Sequence, residues 1–464
     1  MRHIHFIGIG GTGLSAIARV LLESGYTVSG SDKTASTLFD ALRKAGAHTY
    51  LGHTPENIKG ADLVIRSSAI QDDNSEVIAA RSLGIPVLKR ADFMQQLLEG
   101  RTTIAIAGTH GKTTTTSMLV WILTQLQQDP SFIVGGVIKQ LDRNAKAGNG
   151  PFFVIEADEY DRMFLGLNPQ LIVITNIEHD HPDCYPTPKD YQLAFKDFLD
   201  RLKINGKGFL CIDDKGVNRL LKSVNRKQKN LLTYGFDKQA DYQPHNIKID
   251  KNGYPQFDVV YKTSDAVLIK LATLNLQVPG EHNIRNALAA LAVIHKLDLP
   301  LQEAANALSE FKGTQRRFDI LGQADGVTII DDYGHHPTEI KATLQAARQR
   351  FPQSRIWAVW EPHTYSRTMT LESDFISALN HADKVIITKI YAAREIDPGY
   401  SPKRITDALP GNKGQYIADF EDVQTYLLKN LEKNDVVLVL SAGDAPQISK
   451  QTLAGLKIRE LSSK

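Results

Sequence analysis

Cysteine is nearly missing: two residues in 464, Cys184 and Cys211, make neither a disulfide framework nor a metal-ligand spacing, which fits free thiols in a reducing cytosol. An excess of either charge is missing too. Against 54 Lys and Arg stand 52 Asp and Glu, a net +2, so there is neither the basic surplus of a nucleic-acid binder nor an acidic tail. No apolar run approaches the ~20 residues that span a bilayer. The start, Met1-Arg2-His3 and an apolar stretch, runs into glycines instead of a small-residue cleavage site, which argues against a signal peptide. Short-period repeats and low-complexity tracts are also lacking. What is left is a chain with 42% hydrophobic residues, too long for one core. Two to four domains are expected in a soluble, cytoplasmic protein with no nucleic-acid and no membrane partner.

What the chain has in plenty is strand-to-loop chemistry. The apolar, β-branched run Ile104-Ala105-Ile106-Ala107 reads as a buried strand, and Gly108-Thr109-His110-Gly111-Lys112-Thr113-Thr114 follows it. A helix from Thr114 to about Gln127 comes next, with Met118, Leu119, Ile122, Leu123 and Leu126 on one face. Such a turn aims backbone N–H groups and a helix N-terminus at one point, a site for a polyphosphate. Lys112 supplies a charge for the terminal phosphates and Thr113 a hydroxyl for Mg²⁺. The match is to the short G-T-x-G-K-T form, because position 106, where the longer pattern has its first glycine, is Ile.

A second phosphate-loop pattern opens the chain. Strand His5 to Ile9 overlaps Gly8-Ile9-Gly10-Gly11-Thr12-Gly13, helix Leu14 to Ser24 follows, and Asp32 ends a strand from Thr27 to Ser31. Alone, this fingerprint suggests NAD, and more generally a ligand containing a diphosphate. The βα rhythm continues through Asp62 to Ser67, where Ser67-Ser68-Ala69-Ile70 lies at a strand end, to a boundary near residue 100.

Two further strand ends carry acids and histidines: Phe152 to Ile155 leads into Glu156-Ala157-Asp158-Glu159-Tyr160-Asp161, and Leu171 to Ile174 into Asn176-Ile177-Glu178-His179-Asp180-His181. Beside a phosphate loop on one sheet edge they converge on a triphosphate and can hold Mg²⁺. Gly206 to Pro279 reads as short β runs forming an antiparallel flank, with an Asn252-Gly253 hairpin turn. Gly280 to Asn286 opens a helix from Ala287 to Leu297; its amides suit an adenine edge, or Asn283 caps the helix. From about Gly313 a third βα series begins, with polar strand ends at Asp331-Asp332-Tyr333-Gly334-His335-His336-Pro337 and Glu361-Pro362-His363-Thr364-Tyr365-Ser366-Arg367.

In this order the two glycine loops, Glu156-Ala157-Asp158-Glu159, Asp180-His181, His282-Asn283 with Asn286, Arg316-Arg317-Phe318 and Asp331 to Pro337 resemble the Mur ligases, the ATP-dependent amide-forming enzymes of peptidoglycan assembly. The block Asp331 to Pro337 is most similar to the alanine-adding branch. The resemblance spans essentially the whole chain. It implies an α/β protein of three domains: a Rossmann-like UDP-sugar domain over 1–100, a central P-loop ATPase domain with a small antiparallel flank over 101–314, and a Rossmann-like C-terminal domain over 315–464. It also implies ligation of L-alanine to the lactyl carboxylate of UDP-N-acetylmuramate through an acyl phosphate, with ATP as co-substrate and Mg²⁺, replaceable by Mn²⁺. The protein is expected as a monomer or homodimer.

On the same resemblance, Gly10, Gly11, Thr12, Asp32, Ser68 and Ala69 lie along the UDP end, with Tyr333 also on the UDP-sugar. Gly108 to Thr114 hold the ATP phosphates, Asn283 and Asn286 meet adenine, and Arg317 and Asp332 close on the nucleotide. Thr113, Glu156 and His181 hold the metal. Tyr333, His335 and Arg367 sit near the muramoyl carboxylate and alanine, and His181 and His335 are the candidate general bases. Two positions depart from patterns in the family: some members have Arg where Thr364 stands, which leaves more of the substrate carboxylate to Arg367, and Phe195 stands where later-acting ligases carry a carbamylated Lys, which agrees with the alanine-adding branch. The competing readings are a recycling ligase of the same family that attaches a tripeptide, an NAD-dependent oxidoreductase built on the first glycine loop, and a non-catalytic ATP-binding regulator.

Overall fold

Short β-branched runs alternating with amphipathic stretches build three sheets in the computed structural model, which describes residues 2–393 and 395–462. The first sheet has five parallel strands in the order His48–Leu51, Thr27–Asp32, His3–Ile7, Leu63–Arg66, Val87–Lys89. The order reverses between His3–Ile7 and Leu63–Arg66, and the crevice at their C-terminal ends is where such a sheet takes a ligand. The first strand ends two residues earlier than expected. Gly8 already takes φ +86, and the N–H groups of Gly8 and Ile9 both donate to Ser31 O, so the turn has begun.

The second sheet has ten strands and centres on Thr102–Ala107, flanked by Leu171–Ile174 and Phe152–Glu156. Burial on both faces explains its unbroken apolar run. The helix Lys112–Gln125 after it is buried beyond the single expected face. Val120 and Trp121 are covered as well, and Trp121 Nε1 donates to Ala307 O at 2.7 Å. The expected antiparallel flank is smaller than Gly206 to Pro279: Lys207–Cys211 and Leu231–Tyr234 extend the parallel sheet. Only Tyr242–Ile249, Pro255–Lys262 and Leu268–Asn275 lie beyond them. The hairpin turn is longer than Asn252-Gly253: Asp250 N donates to Tyr254 O, Gly253 N to Asp250 O, and Gly253 takes φ +77.

The third sheet has six strands in the order Asp319–Ala324, Val327–Asp332, Val436–Leu440, Ile356–Trp360, Lys384–Ile387, Gly414–Tyr416. Its first strand is antiparallel and the rest parallel. The chain divides into two compact units: one takes the chain to Asn246 with Phe257–Leu274 and Arg285–Phe311, the other Ile247–Gln256, Asn275–Ile284 and the chain from Lys312 onward. Within the first unit one apolar cluster runs from Ile4 and Phe6 to Phe164, Phe195 and Phe198. The first two sheets therefore share a core, which brings both glycine loops into one packed body.

Candidate active site

The phosphate loop is shaped by two glycines. Gly108 has φ +136, and a Cβ on it would lie 2.0 Å from Thr175 Oγ1; Gly111, at φ +81, is the N-terminal cap of the helix Lys112–Gln125. Asn176 fixes the turn, its Oδ1 accepting from His110 N at 2.9 Å and its Nδ2 donating to His110 O at 2.9 Å. Thr109 Oγ1 donates to Glu178 O, and His110 Nε2 lies 2.9 Å from Glu178 Oε2. Thr114 is half-buried in the first helical turn.

Lys112 is held inside this cradle. Its Nζ donates to Gly108 O at 2.6 Å and to Thr109 O at 3.1 Å, and both carboxylate oxygens of Glu159 lie 2.9 Å away. Burial acts to lower the lysine pKa, but Glu159, Glu156 and Asp158 outweigh it and hold the pKa above the ordinary value. Burial likewise acts to raise the pKa of Glu159, and Lys112 with His181 overcomes it. Glu159 also accepts from Tyr191 Oη at 3.3 Å. In the sequence Glu159 is one acid of a block, with no role of its own; only the fold shows that it meets the loop lysine.

Thr113 Oγ1 donates to Glu156 Oε1 at 2.9 Å, and Glu156 Oε2 accepts from Gly135 N at 2.6 Å. Adjacent ligands of an octahedral Mg²⁺ stand about 3 Å apart, given bonds of about 2.1 Å. A hydroxyl and a carboxylate oxygen at 2.9 Å therefore fit two neighbouring positions around the ion. His181 is turned elsewhere: its Nε2 is 3.7 Å from Glu159 and 3.8 Å from Asp180. Burial lowers its pKa, but these carboxylates outweigh that effect and raise it above the ordinary imidazole value.

At the first sheet, Asp32 Oδ2 accepts from Gly10 N at 2.9 Å, and Ser36 Oγ donates to Gly10 O. Gly11 and Thr12 are exposed where the helix Thr12–Glu23 starts, as are Ser68 and Ala69 beyond Leu63–Arg66. Gly8 and Ser67 face each other across the crevice, 3.1 Å separating Ser67 Cβ from where a Cβ on Gly8 would be. Between this loop and Glu156 lies a cavity of about 140 Å³, lined by Thr12, Gly13, Arg90, Gly135, Glu156 and Asp158 and walled by apolar side chains including Ile17 and Met163. Arg90, which opens a helix and belongs to no motif, was not legible as a site residue.

The helix predicted from Ala287 begins at Glu281, so Asn283 lies in its first turn instead of capping it. Asn283 Nδ2 donates to Pro279 O at 2.7 Å. Asn286 is buried with its Oδ1 2.8 Å from where a Cβ on Gly111 would be.

In the second unit Arg316 and Arg317 stack over Tyr333, at 5.0 and 4.9 Å from the ring centre. His335 meets Tyr333 edge-on and continues to His363, which stacks on Tyr391. Glu339 ties Arg317 and the His335 ring, each at 3.4 Å. Arg367 is buried and donates to His363 O at 2.7 Å, whereas Thr364 and Ser366 are bonded to Glu395. Asp332 ends its strand accepting from Phe318 N and Gly334 N, both at 2.7 Å, with burial raising its pKa.

Three family descriptions match the chain in order: "Mur ligase family, catalytic domain" over residues 3–102, "Mur ligase middle domain" over 106–294 and "Mur ligase, glutamate ligase domain" over 316–443. A UDP-N-acetylmuramate–L-alanine ligase of Desulfosudis oleivorans is 43% identical over 458 residues, 98% of either chain. One of the same name from Caldanaerobacter subterraneus is 41% identical over 97% of either. Among solved structures, a UDP-N-acetylmuramate-alanine ligase from Thermotoga maritima has TM-score 0.81 at 30% identity, covering 100% of both chains. A murein peptide ligase from Psychrobacter arcticus has TM-score 0.73 at 26% identity, covering 98% of this chain and 99% of its own.

Proposed function

The chain belongs to the Mur ligase family, and on that premise we infer that it joins L-alanine to the lactyl carboxylate of UDP-N-acetylmuramate, converting ATP to ADP and phosphate. The observation that carries this reading is the cavity in which the N-terminal glycine loop faces Glu156, the partner of the phosphate-loop Thr113. A sugar diphosphate at Gly10 to Thr12 and a triphosphate at Gly108 to Thr114 would meet there, carboxylate to γ-phosphate. No such meeting is needed in an oxidoreductase.

A carboxylate is a poor acyl donor. Phosphoryl transfer makes it an acyl phosphate, which the free amine of alanine attacks to form the amide and release phosphate. In our reading Lys112, held charged by Glu159, receives the terminal phosphates, and Gly108 to Gly111 direct their amides at the same group. Thr113 and Glu156 would hold Mg²⁺, with His181 turning towards the nucleotide once it is bound. When bound, the ion supplies positive charge against the phosphates. Asn283 and Asn286 are assigned to adenine, Arg317 and Asp332 to the nucleotide from the C-terminal region, and Gly10, Gly11, Thr12, Asp32, Ser68, Ala69 and Tyr333 to the UDP-sugar. Arg367 is assigned to the alanine carboxylate and His335 to the amine proton. Domain limits near residues 100 and 314 go with this reading. Among the described residues no helix is long and apolar enough to cross a membrane, and we place the enzyme in the cytoplasm with its nucleotide substrates.

The test is phosphate release from ATP, Mg²⁺ and UDP-N-acetylmuramate, with L-alanine present or omitted and product mass read in parallel. Alanine-dependent release with a product one alanyl residue heavier is expected. Release with a tripeptide and not with alanine would move the protein to the recycling branch.

A further inference from the structure

The third glycine of the N-terminal loop is occupied. A Cβ on Gly13 would lie 2.2 Å from Arg90 Nη1, so the guanidinium fills the space where any other residue would carry its side chain. Arg90 opens the helix Arg90–Leu97, which lies so close to the Tyr160–Gly166 turn that a Cβ on Gly166 would meet Ala91 O at 2.2 Å. That packing sets Arg90 Nη2 3.0 Å from Asp158 Oδ2. Among the described residues this is the guanidinium's one hydrogen bond, which leaves Nη1 and Nε without a protein acceptor although the side chain is 19% exposed.

The setting asks for an anion. The cavity beside Arg90 holds about 140 Å³, close to the about 150 Å³ that accommodates a benzene ring, room for a short acyl arm. Its walls are apolar at Ile17, Met94, Ile133 and Met163, and its polar rim carries two carboxylates, Glu156 and Asp158. Among the described lining residues Arg90 is the one cation. A carboxylate entering unaided would meet two like charges; the planar fork of an arginine offers it two parallel donors and offsets part of that repulsion.

We propose that Arg90 receives the lactyl carboxylate of UDP-N-acetylmuramate and presents it to the γ-phosphate at Glu156 and Thr113, with Asp158 orienting the guanidinium and Gly13 leaving it room. This rests on the ligase reading above. Arg90 is then the residue that distinguishes a UDP-sugar bearing a carboxylate arm from one without it.

The experiment is calorimetric titration of the full-length protein with UDP-N-acetylmuramate and with UDP-N-acetylglucosamine, which lacks the lactyl arm, for wild type, Arg90→Gln, Arg90→Lys and Gly13→Ala. Thermal melting confirms that each variant is folded. Arg90→Gln is expected to weaken UDP-N-acetylmuramate about 10- to 100-fold, the usual worth of a charged hydrogen-bonded pair, and to leave UDP-N-acetylglucosamine within about twofold. Arg90→Lys falls between, because it keeps the charge and loses the fork. Gly13→Ala displaces the guanidinium and follows Arg90→Gln in the same direction. In turnover, KM for UDP-N-acetylmuramate rises while KM for ATP does not. Equal weakening of both sugars would show Arg90 on the diphosphate and overturn the assignment; unchanged binding of both would overturn it as well. Either result with an active wild type leaves the ligase reading standing. A wild type that forms neither an alanyl nor a tripeptide product overturns that reading, and the assignment with it.

Discussion

Replacing Asp331 by asparagine should stabilise the second unit above pH 6. Asp331 sits on the strand Val327–Asp332, 4% exposed, with Oδ1 lacking any hydrogen bond and Oδ2 3.8 Å from Arg316 Nε. Burial pushes its carboxyl from 3.8 up to about 6, and Arg316 only partly opposes this. The rise corresponds to about 3 kcal/mol of stability lost when the group is ionised. Below pH 3.8 the carboxyl is protonated in folded and unfolded chains alike and costs nothing. Between 3.8 and about 6 the folded chain holds more protons than the unfolded, so stability falls as pH rises; above 6 the loss is complete. An asparagine there would carry no charge but would bury an amide lacking a full set of partners, a cost of about 1 to 2 kcal/mol. The net gain is about 1 to 2 kcal/mol, or about 4 °C in midpoint for a unit of this size. Thermal unfolding of wild type and Asp331→Asn at pH 4 and pH 8 reads it. The reasoning fails if the variant melts lower than wild type at pH 8, or if its advantage is as large at pH 4.

Three further outcomes are expected. Glu159→Ala leaves the Lys112 ammonium buried against two carbonyls and costs about 3 to 5 kcal/mol, most of which a Lys112→Met, Glu159→Leu double variant recovers in urea unfolding; additive losses would show that the pair is not coupled. Gly108→Ala, with φ +136 and Thr175 Oγ1 in the way, should fold but lose ATP affinity by more than about tenfold, and unaltered nucleotide binding would refute the cradle. Arg367→Lys, which keeps charge without the fork, should raise KM for alanine about tenfold or more with KM for ATP unchanged; a shift in the ATP value alone would place Arg367 on the nucleotide.

The phosphate-loop strand was readable because a β-branched run buried on both faces leaves no polar break, and the turn after it because Gly108 and Gly111 occupy positions a side chain would strain or block. The ends of the first strand and of the helix Glu281–Lys296 differ from the expected ones. A glycine turn begins where hydrogen bonding to Ser31 begins, not where apolar residues stop, and the helix at Glu281 starts in residues as polar as a loop. The parallel strands Lys207–Cys211 and Leu231–Tyr234 look like a flank in sequence, because their pairing partners are distant along the chain.

Local patterns along the chain were enough to say which residues carry chemistry and that they gather at strand ends: glycine spacing, a lysine after the turn, acids after apolar runs. Which of those groups meet is a matter of packing. Glu159 reaches Lys112 across 47 positions and Arg90 reaches Asp158 across 68, contacts set by how sheets and helices stack around a shared core. The ion pair that keeps the lysine charged and the cation beside the cavity at Gly13 exist only once that packing excludes water, because burial is what makes each charge need its partner.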